Sequence, residues 1–136
     1  MAKDERGNLI MSNYKDYTYL LVRVLIGVLF LITGVTKALN ITGTAGFFGS
    51  LGIPGATFFA WLVMLVEIIL GLALLVGWKV KYTVWPLVVI LVIAVMLTTG
   101  WTTGINWVNL MFHLITILAL LHIGSDGAGM WAIDRE

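Results

Sequence analysis

Four ionisable side chains lie inside stretches of the sequence that are otherwise apolar. They are Arg23, Lys37, Glu67 and His113. A charged group near the centre of a bilayer costs at least about 2.5–3.5 kcal/mol on insertion scales, so each needs a partner or a function. Because a glutamate and a histidine can also exchange protons with a bound molecule, Glu67 and His113 are candidate catalytic residues.

The spacing of residues around the first two charges predicts one helical face. Arg23, Gly27, Phe30, Gly34 and Lys37 follow one another in steps of four, three, four and three residues. Residues at these intervals share one side of an α-helix. We therefore expect this face to be turned towards the interior of a helix bundle.

Two further apolar stretches carry polar faces of the same kind. Glu67 shares a stripe with small and apolar residues, which are Ala60, Met64, Gly71 and Leu74. A later stretch places four polar residues on one face, which are Asn106, Asn109, His113 and Thr116. Small residues let helix backbones approach closely, and polar side chains hydrogen-bond across helices. The sequence therefore predicts a bundle with a wet or hydrogen-bonded interior.

Depth within the membrane predicts which charges meet. At a rise of about 1.5 Å per residue, Lys37 lies roughly 3 Å from the outer helix ends, His113 about 9 Å, Glu67 about 15 Å and Arg23 about 24 Å. Glu67 and Arg23 are long enough to bridge the gap between them, which would neutralise both charges. We therefore expect a Glu67–Arg23 ion pair.

The elements that must position these residues are membrane-spanning helices. Of 136 residues, 60% are hydrophobic and 11% are charged, against roughly 25% charged in soluble domains. Four apolar stretches, at about 18–39, 57–78, 82–100 and 107–123, are each long enough to cross a bilayer. We predict one all-α domain, an integral membrane four-helix bundle, with a polar N-terminal tail (1–17) and a short C-terminal tail (124–136).

The segment between the first two spans is rich in glycine. Its glycines recur every third residue and are Gly43, Gly46, Gly49, Gly52 and Gly55. A short interfacial or re-entrant helix and an irregular loop both fit this pattern, and the sequence leaves the choice open.

Basic residues predict the orientation of the bundle. One side holds Lys3, Arg6, Lys15, Lys79, Lys81 and Arg135, and the other holds only Lys37. Basic loops stay in the cytoplasm, so both termini are expected there. Aromatic residues should mark the two membrane boundaries, with Trp61, Trp101 and Trp107 at the outer one.

Several function classes are excluded by composition. With no cysteine, the chain can form no disulfide, thiolate metal site or iron–sulfur cluster of its own. His113 and His122 are nine residues apart and face opposite sides of a helix, which argues against haem. A net charge of +1 without a basic run argues against nucleic acid. We expect no metal or haem within the chain, so a redox role needs a borrowed cofactor.

Several of these residues also carry a family resemblance. The pattern consists of Arg23, Gly27, Gly34, Lys37, Gly52-Ile53-Pro54, Glu67, Gly71, Gly77, Gly127-Ala128-Gly129 and Asp134. In order and spacing it resembles the DoxX/DoxD-like family of small bacterial and archaeal membrane proteins, from about Leu20 to Asp134. The resemblance implies a multi-pass protein of the plasma (inner) membrane.

The resemblance further implies a subunit linked with oxidoreductase systems. Family members include a subunit of thiosulfate:quinone oxidoreductase, and others are associated with membrane redox complexes. We expect no fused partner domain, and the sequence contains no cysteine, which argues against thiosulfate oxidation by the chain alone.

The leading hypothesis from the sequence is a subunit that binds a quinone or similar apolar molecule within the bundle. In it Glu67 and His113 are catalytic, while Arg23, Lys37 and Asn109 bind the quinone. The expected partners are the lipid bilayer, membrane or peripheral redox subunits, and a second copy in a homodimer. Two alternatives stay open: a non-catalytic accessory subunit whose polar residues only join helices, and a small transporter.

Overall fold

The structure, a computed structural model, describes residues 2–98 and 104–134. Within them the chain forms five helices and no strand: α1 (Ala2–Leu39), α2 (Ile41–Ser50), α3 (Ala56–Val76), α4 (Val80–Thr98) and α5 (Trp107–Asp126). All except α2 contain a stretch long and apolar enough to cross a membrane. The predicted all-helical bundle with four spans is therefore confirmed, while the cytoplasmic location of its termini stays a prediction.

The structure shows where the first span begins and how far the third span can be followed. In α1 the membrane-compatible part runs over Met11–Leu39, and the helix itself begins at Ala2. At about 1.5 Å per residue, α1 is far longer than the hydrocarbon core of a bilayer, so its first turns project beyond the bundle. The predicted third span ends at residues 99 and 100, which lie outside the described residues. The same holds for Trp101, predicted at the outer boundary, and for Arg135, predicted on the cytoplasmic side.

The glycine-rich segment forms a helix rather than an irregular loop. Asn40 caps α2, because its side-chain oxygen accepts a hydrogen bond from the Gly43 amide at 3.1 Å. The turn that follows contains Gly52 and Gly55, both with positive φ angles that favour glycine. This turn leads directly into α3, against which α2 packs.

Glycines bring α1 and α3 into backbone contact. A Cβ atom on Gly71 would lie 3.0 Å from the Gly27 carbonyl oxygen and 3.0 Å from the Leu31 amide nitrogen. One on Gly34 would lie 2.7 Å from a side-chain carbon of Ile68. The two predicted stripes therefore face each other, and α1 packs more extensively against α3 than against any other helix.

The second tight pair is α4 with α5, where Gly124 fits against Val84. The two pairs meet around a core of fully or almost fully buried side chains. Its members include Phe30, Leu74, Val84, Leu87, Leu120 and Ile123. The core occupies the half of the bundle nearer the two termini, which we call the termini end, and the half that carries α2 is the α2 end.

Arg23 closes the termini end. Only 1% of its surface is exposed, and its guanidinium donates hydrogen bonds to the carbonyls of Ala128 and Trp131 in the C-terminal segment. Carbonyl oxygens carry partial negative charge and can only accept, so they suit the five N–H donors of a guanidinium. The predicted Glu67–Arg23 ion pair is therefore wrong: Arg23 bonds to backbone carbonyls, and Glu67 has another partner.

The C-terminal segment, residues 127–134, ties three helix ends together. The Tyr19 hydroxyl hydrogen-bonds the carbonyls of Ile123 and Gly127 at the end of α5. The Ile133 amide donates to the Val76 carbonyl at the end of α3 at 3.0 Å. The Asp134 carboxylate accepts from the Lys79 amide just before α4, where a negative charge suits the helix N-terminus. This end of the bundle is consequently closed.

The contact between α1 and α3 predicts the effect of a single methyl group. Gly71→Ala should destabilise the protein by about 1–3 kcal/mol, because the added carbon meets backbone atoms that cannot rotate away. Thermal unfolding of purified protein in nanodiscs measures the change. Gly46→Ala is the matched control, since a Cβ there meets nothing within 4 Å. Equal midpoints for the two variants would contradict the predicted contact.

Candidate functional site

A cavity of about 680 Å³ occupies the α2 end of the bundle. All five helices contribute to its walls, and it is partly open to the outside of the bundle. Drug-sized ligands occupy pockets of about 300–1,000 Å³ that are mostly apolar with a few convergent polar groups. Lys37, Glu67, Asn109 and His113, all predicted as site residues, line this cavity.

The polar centre of the cavity is an ion pair between α1 and α3. The Lys37 ammonium lies 2.7 Å from a carboxylate oxygen of Glu67. The Glu67 side chain is 6% exposed and that of Lys37 is 24% exposed, so the carboxylate is the deeper partner. Lys37 can reach it because Gly34, one turn away on α1, lets the two helices approach closely.

His113 lies on the α5 wall with one ring nitrogen already engaged. Its Nδ1 atom is 2.7 Å from the Asn109 carbonyl oxygen. Since a carbonyl can only accept, Nδ1 carries the proton, and Nε2 is left to accept a hydrogen bond or a second proton. Among the described residues, no hydrogen bond joins His113 to the Lys37–Glu67 pair, so a bound molecule would have to bridge them.

The remaining polar side chains of the cavity differ in what they can offer. The hydroxyls of Thr33 and Thr98 donate to carbonyls of their own helices, at 3.0 and 2.6 Å. They are therefore acceptors towards a ligand. Asn109 lies half-buried on the same wall as His113, and its amide can both donate and accept.

Aromatic rings form much of the apolar wall. Phe30, Phe47, Phe48, Phe59 and Phe112 all line the cavity. Such rings exclude water and offer flat faces for stacking. A ligand held here would rest on apolar surface and meet polar groups on α1, α3 and α5.

Arg23 is the predicted site residue that the structure does not bring to the cavity. It lies at the termini end, separated from the cavity by the core, and holds the C-terminal segment. The cavity-lining residues that the sequence did not indicate include all those of α4, such as Ala94 and Thr98. That helix has little polar pattern, so no periodicity marks its inward face.

Comparisons with known proteins agree with this architecture. A family model described as DoxX matches residues 18–101. An uncharacterized membrane protein of Mycobacterium tuberculosis is 33% identical over 127 residues, covering 85% of this chain and 78% of that protein. A Bacillus subtilis protein named "Putative oxidoreductase CatD" is 29% identical over 115 residues, covering 85% of this chain and 83% of its own length. No solved structure matches the chain significantly.

The exposure difference within the ion pair predicts unequal effects of removing each partner. Lys37→Met should destabilise the protein by about 3 kcal/mol, because it leaves the buried Glu67 carboxylate without its partner. Glu67→Met should cost less, since Lys37 can turn its ammonium towards the helix end. The double variant should recover much of the Lys37→Met loss. Thermal unfolding of all four proteins in nanodiscs completes the cycle.

A matched control comes from the exposed His122–Asp126 pair, 3.5 Å apart. Asp126→Asn should change stability by no more than about 0.5 kcal/mol. Strictly additive effects of Lys37→Met and Glu67→Met would show that the pair carries no coupling energy.

Proposed function

We propose that this chain, which belongs to the DoxX family, binds a quinone or similar amphipathic molecule in the cavity at the α2 end. In this role it is a membrane subunit of a quinone-linked oxidoreductase system. One observation carries the proposal: a partly buried ion pair and a histidine with a free ring nitrogen line the same apolar cavity. Ionisable groups inside a bundle of membrane-spanning helices are typical of sites that bind ligands or transfer protons.

The chemistry of the cavity suits a quinone ring. Such a ring is flat and apolar, with two carbonyl oxygens that need hydrogen-bond donors. Lys37 spends one N–H on Glu67 and keeps two, while Asn109 offers its amide group. The phenylalanine rings of the wall supply stacking surface.

The chain's own residues have separate tasks in this proposal. A bound quinone supplies reversible two-electron, two-proton redox chemistry. Lys37 orients the ring through a charge-assisted hydrogen bond. His113 takes or gives a proton at Nε2, with Nδ1 fixed by the Asn109 carbonyl. Glu67 balances the charge of Lys37 in a low-dielectric site. A partner subunit holds the electron-donating or electron-accepting centre.

The B. subtilis relative supports the oxidoreductase part of the proposal, since its name assigns that class. The binding of quinone rests on the cavity and its polar groups. A second candidate function is also favoured by one observation: the ion pair joins α1 directly to α3. In that case the chain is an accessory subunit, and the pair serves only to hold the helices together.

Photolabelling separates these two functions. A ring-azido quinone should label the cavity walls of α4 and α5 in purified protein, and unlabelled quinone should compete. Ala94→Phe, which fills the cavity, should reduce labelling by at least about tenfold. Met96→Phe is the control, because Met96 is exposed on the same helix and does not line the cavity. Labelling that is unchanged in Ala94→Phe would contradict binding in the cavity.

Glu67→Gln tests the role of charge in turnover. The amide keeps a hydrogen bond to Lys37 but loses the negative charge, so the protein should fold and still be labelled. Quinone reduction by native membranes carrying the variant should fall at least about tenfold, since an uncompensated Lys37 charge alters the site. Normal turnover with Glu67→Gln would remove Glu67 from the proposed mechanism.

A further inference from the structure

The cavity is closed at both of its ends. Towards the termini, Phe30 and Leu91 belong both to the cavity wall and to the buried core, which contains Leu74, Leu87 and Leu120. At the opposite side, α2 and the turn after it cover the cavity with Phe47, Phe48 and Ile53. A ligand longer than the cavity can therefore extend only sideways, between helices.

The walls show where such an exit lies. Phe59 of α3 and Ile93 of α4 line the cavity, and they also keep exposed fractions of 40% and 48%. A residue with both properties stands where the cavity wall is one side chain thick. In a bilayer the outer side of these residues meets lipid chains.

Helix geometry puts these two residues on facing edges. Phe59 precedes Gly71, the residue of α3 that contacts α1, by twelve residues. At about 100° per residue, Phe59 therefore lies about a third of a turn around α3 from the face that contacts α1. Ile93 follows Val84, a residue of α4 that contacts α5, by nine residues. It therefore lies on the side of α4 opposite the face that contacts α5, at about 100° per residue. Since both also line the cavity, they flank the gap between α3 and α4.

The gap between α1 and α5 differs from this one on its α1 side. On the α5 side, Phe112 lines the cavity and is 50% exposed. On the α1 side, the lining residues Leu29 and Thr33 are half-buried. Of these two gaps, the one between α3 and α4 has an exposed lining residue on both of its edges.

We infer that the gap between Phe59 and Ile93 is a lateral portal, through which the apolar tail of a single-tailed lipid leaves the cavity while its polar head stays at Lys37. The inference rests on the proposed function and narrows its ligand to a prenyl-chain quinone or a lipid of similar shape. At about 680 Å³ the cavity exceeds a single ring, so the first tail units lie inside. The flexible remainder lies among the lipid chains.

A tail-labelled probe tests the portal. A short-chain prenylquinone that carries a diazirine on its first isoprene unit is photolysed with the protein in nanodiscs, and mass spectrometry maps the crosslinks. Crosslinks at the edges of α3 and α4 around Phe59 and Ile93 are expected. Ile93→Trp should reduce them at least about tenfold by filling the gap. Val92→Trp, an exposed neighbour that does not line the cavity, should leave them within about twofold.

Two other outcomes would overturn the portal in different ways. Tail crosslinks around Leu29 and Phe112 that persist in Ile93→Trp would place the exit between α1 and α5 and reject the α3–α4 portal. If a ring-azido quinone labels the cavity but the tail probe crosslinks only α2, the ligand leaves at the bundle end, and the portal fails while the proposed function stands. No cavity labelling by either probe would reject both.

Discussion

A carboxylate placed within a membrane helix must be neutralised, and the structure around Glu67 follows from that constraint. Lys37 neutralises it at 2.7 Å from the neighbouring helix. The pair needs α1 and α3 in near backbone contact, which the glycines at 27, 34 and 71 allow. Stabilising one buried charge therefore fixes how the first and third helices pack, and this pair of helices forms one wall of the cavity.

The cations at the two ends of the bundle have different kinds of partner. At the termini end, Arg23 is paired with backbone carbonyls beyond α5, and the C-terminal segment covers three helix ends. All of these interactions hold the helices together. At the α2 end, Lys37 meets a carboxylate in the wall of the cavity, which α2 and the turn after it cover. The termini end supplies rigidity, and the α2 end supplies the site.

Much of this arrangement follows from periodicity in the sequence. The inward faces of α1, α3 and α5 were predicted because polar and small residues recur at helical spacing, and Ala60, Met64, Glu67, Gly71 and Leu74 are all buried. The partner of Glu67 was predicted wrongly because the depths of Arg23 and Glu67 along their helices do not show which other groups lie close to Arg23. The C-terminal segment offers carbonyls to Arg23, and backbone acceptors leave no mark in a sequence. The inward face of α4 could not be predicted, since every side of that helix is apolar.

The most direct test of binding in the cavity is native mass spectrometry of protein extracted gently from its own membrane, with identification of the lipids and quinones that remain bound. If the ligand binds in the cavity, the wild-type protein retains a prenylquinone that is absent from Ala94→Phe, with the chain folded in both. A folded chain that carries no such ligand in either protein and is held tightly to other subunits would rule out binding in the cavity.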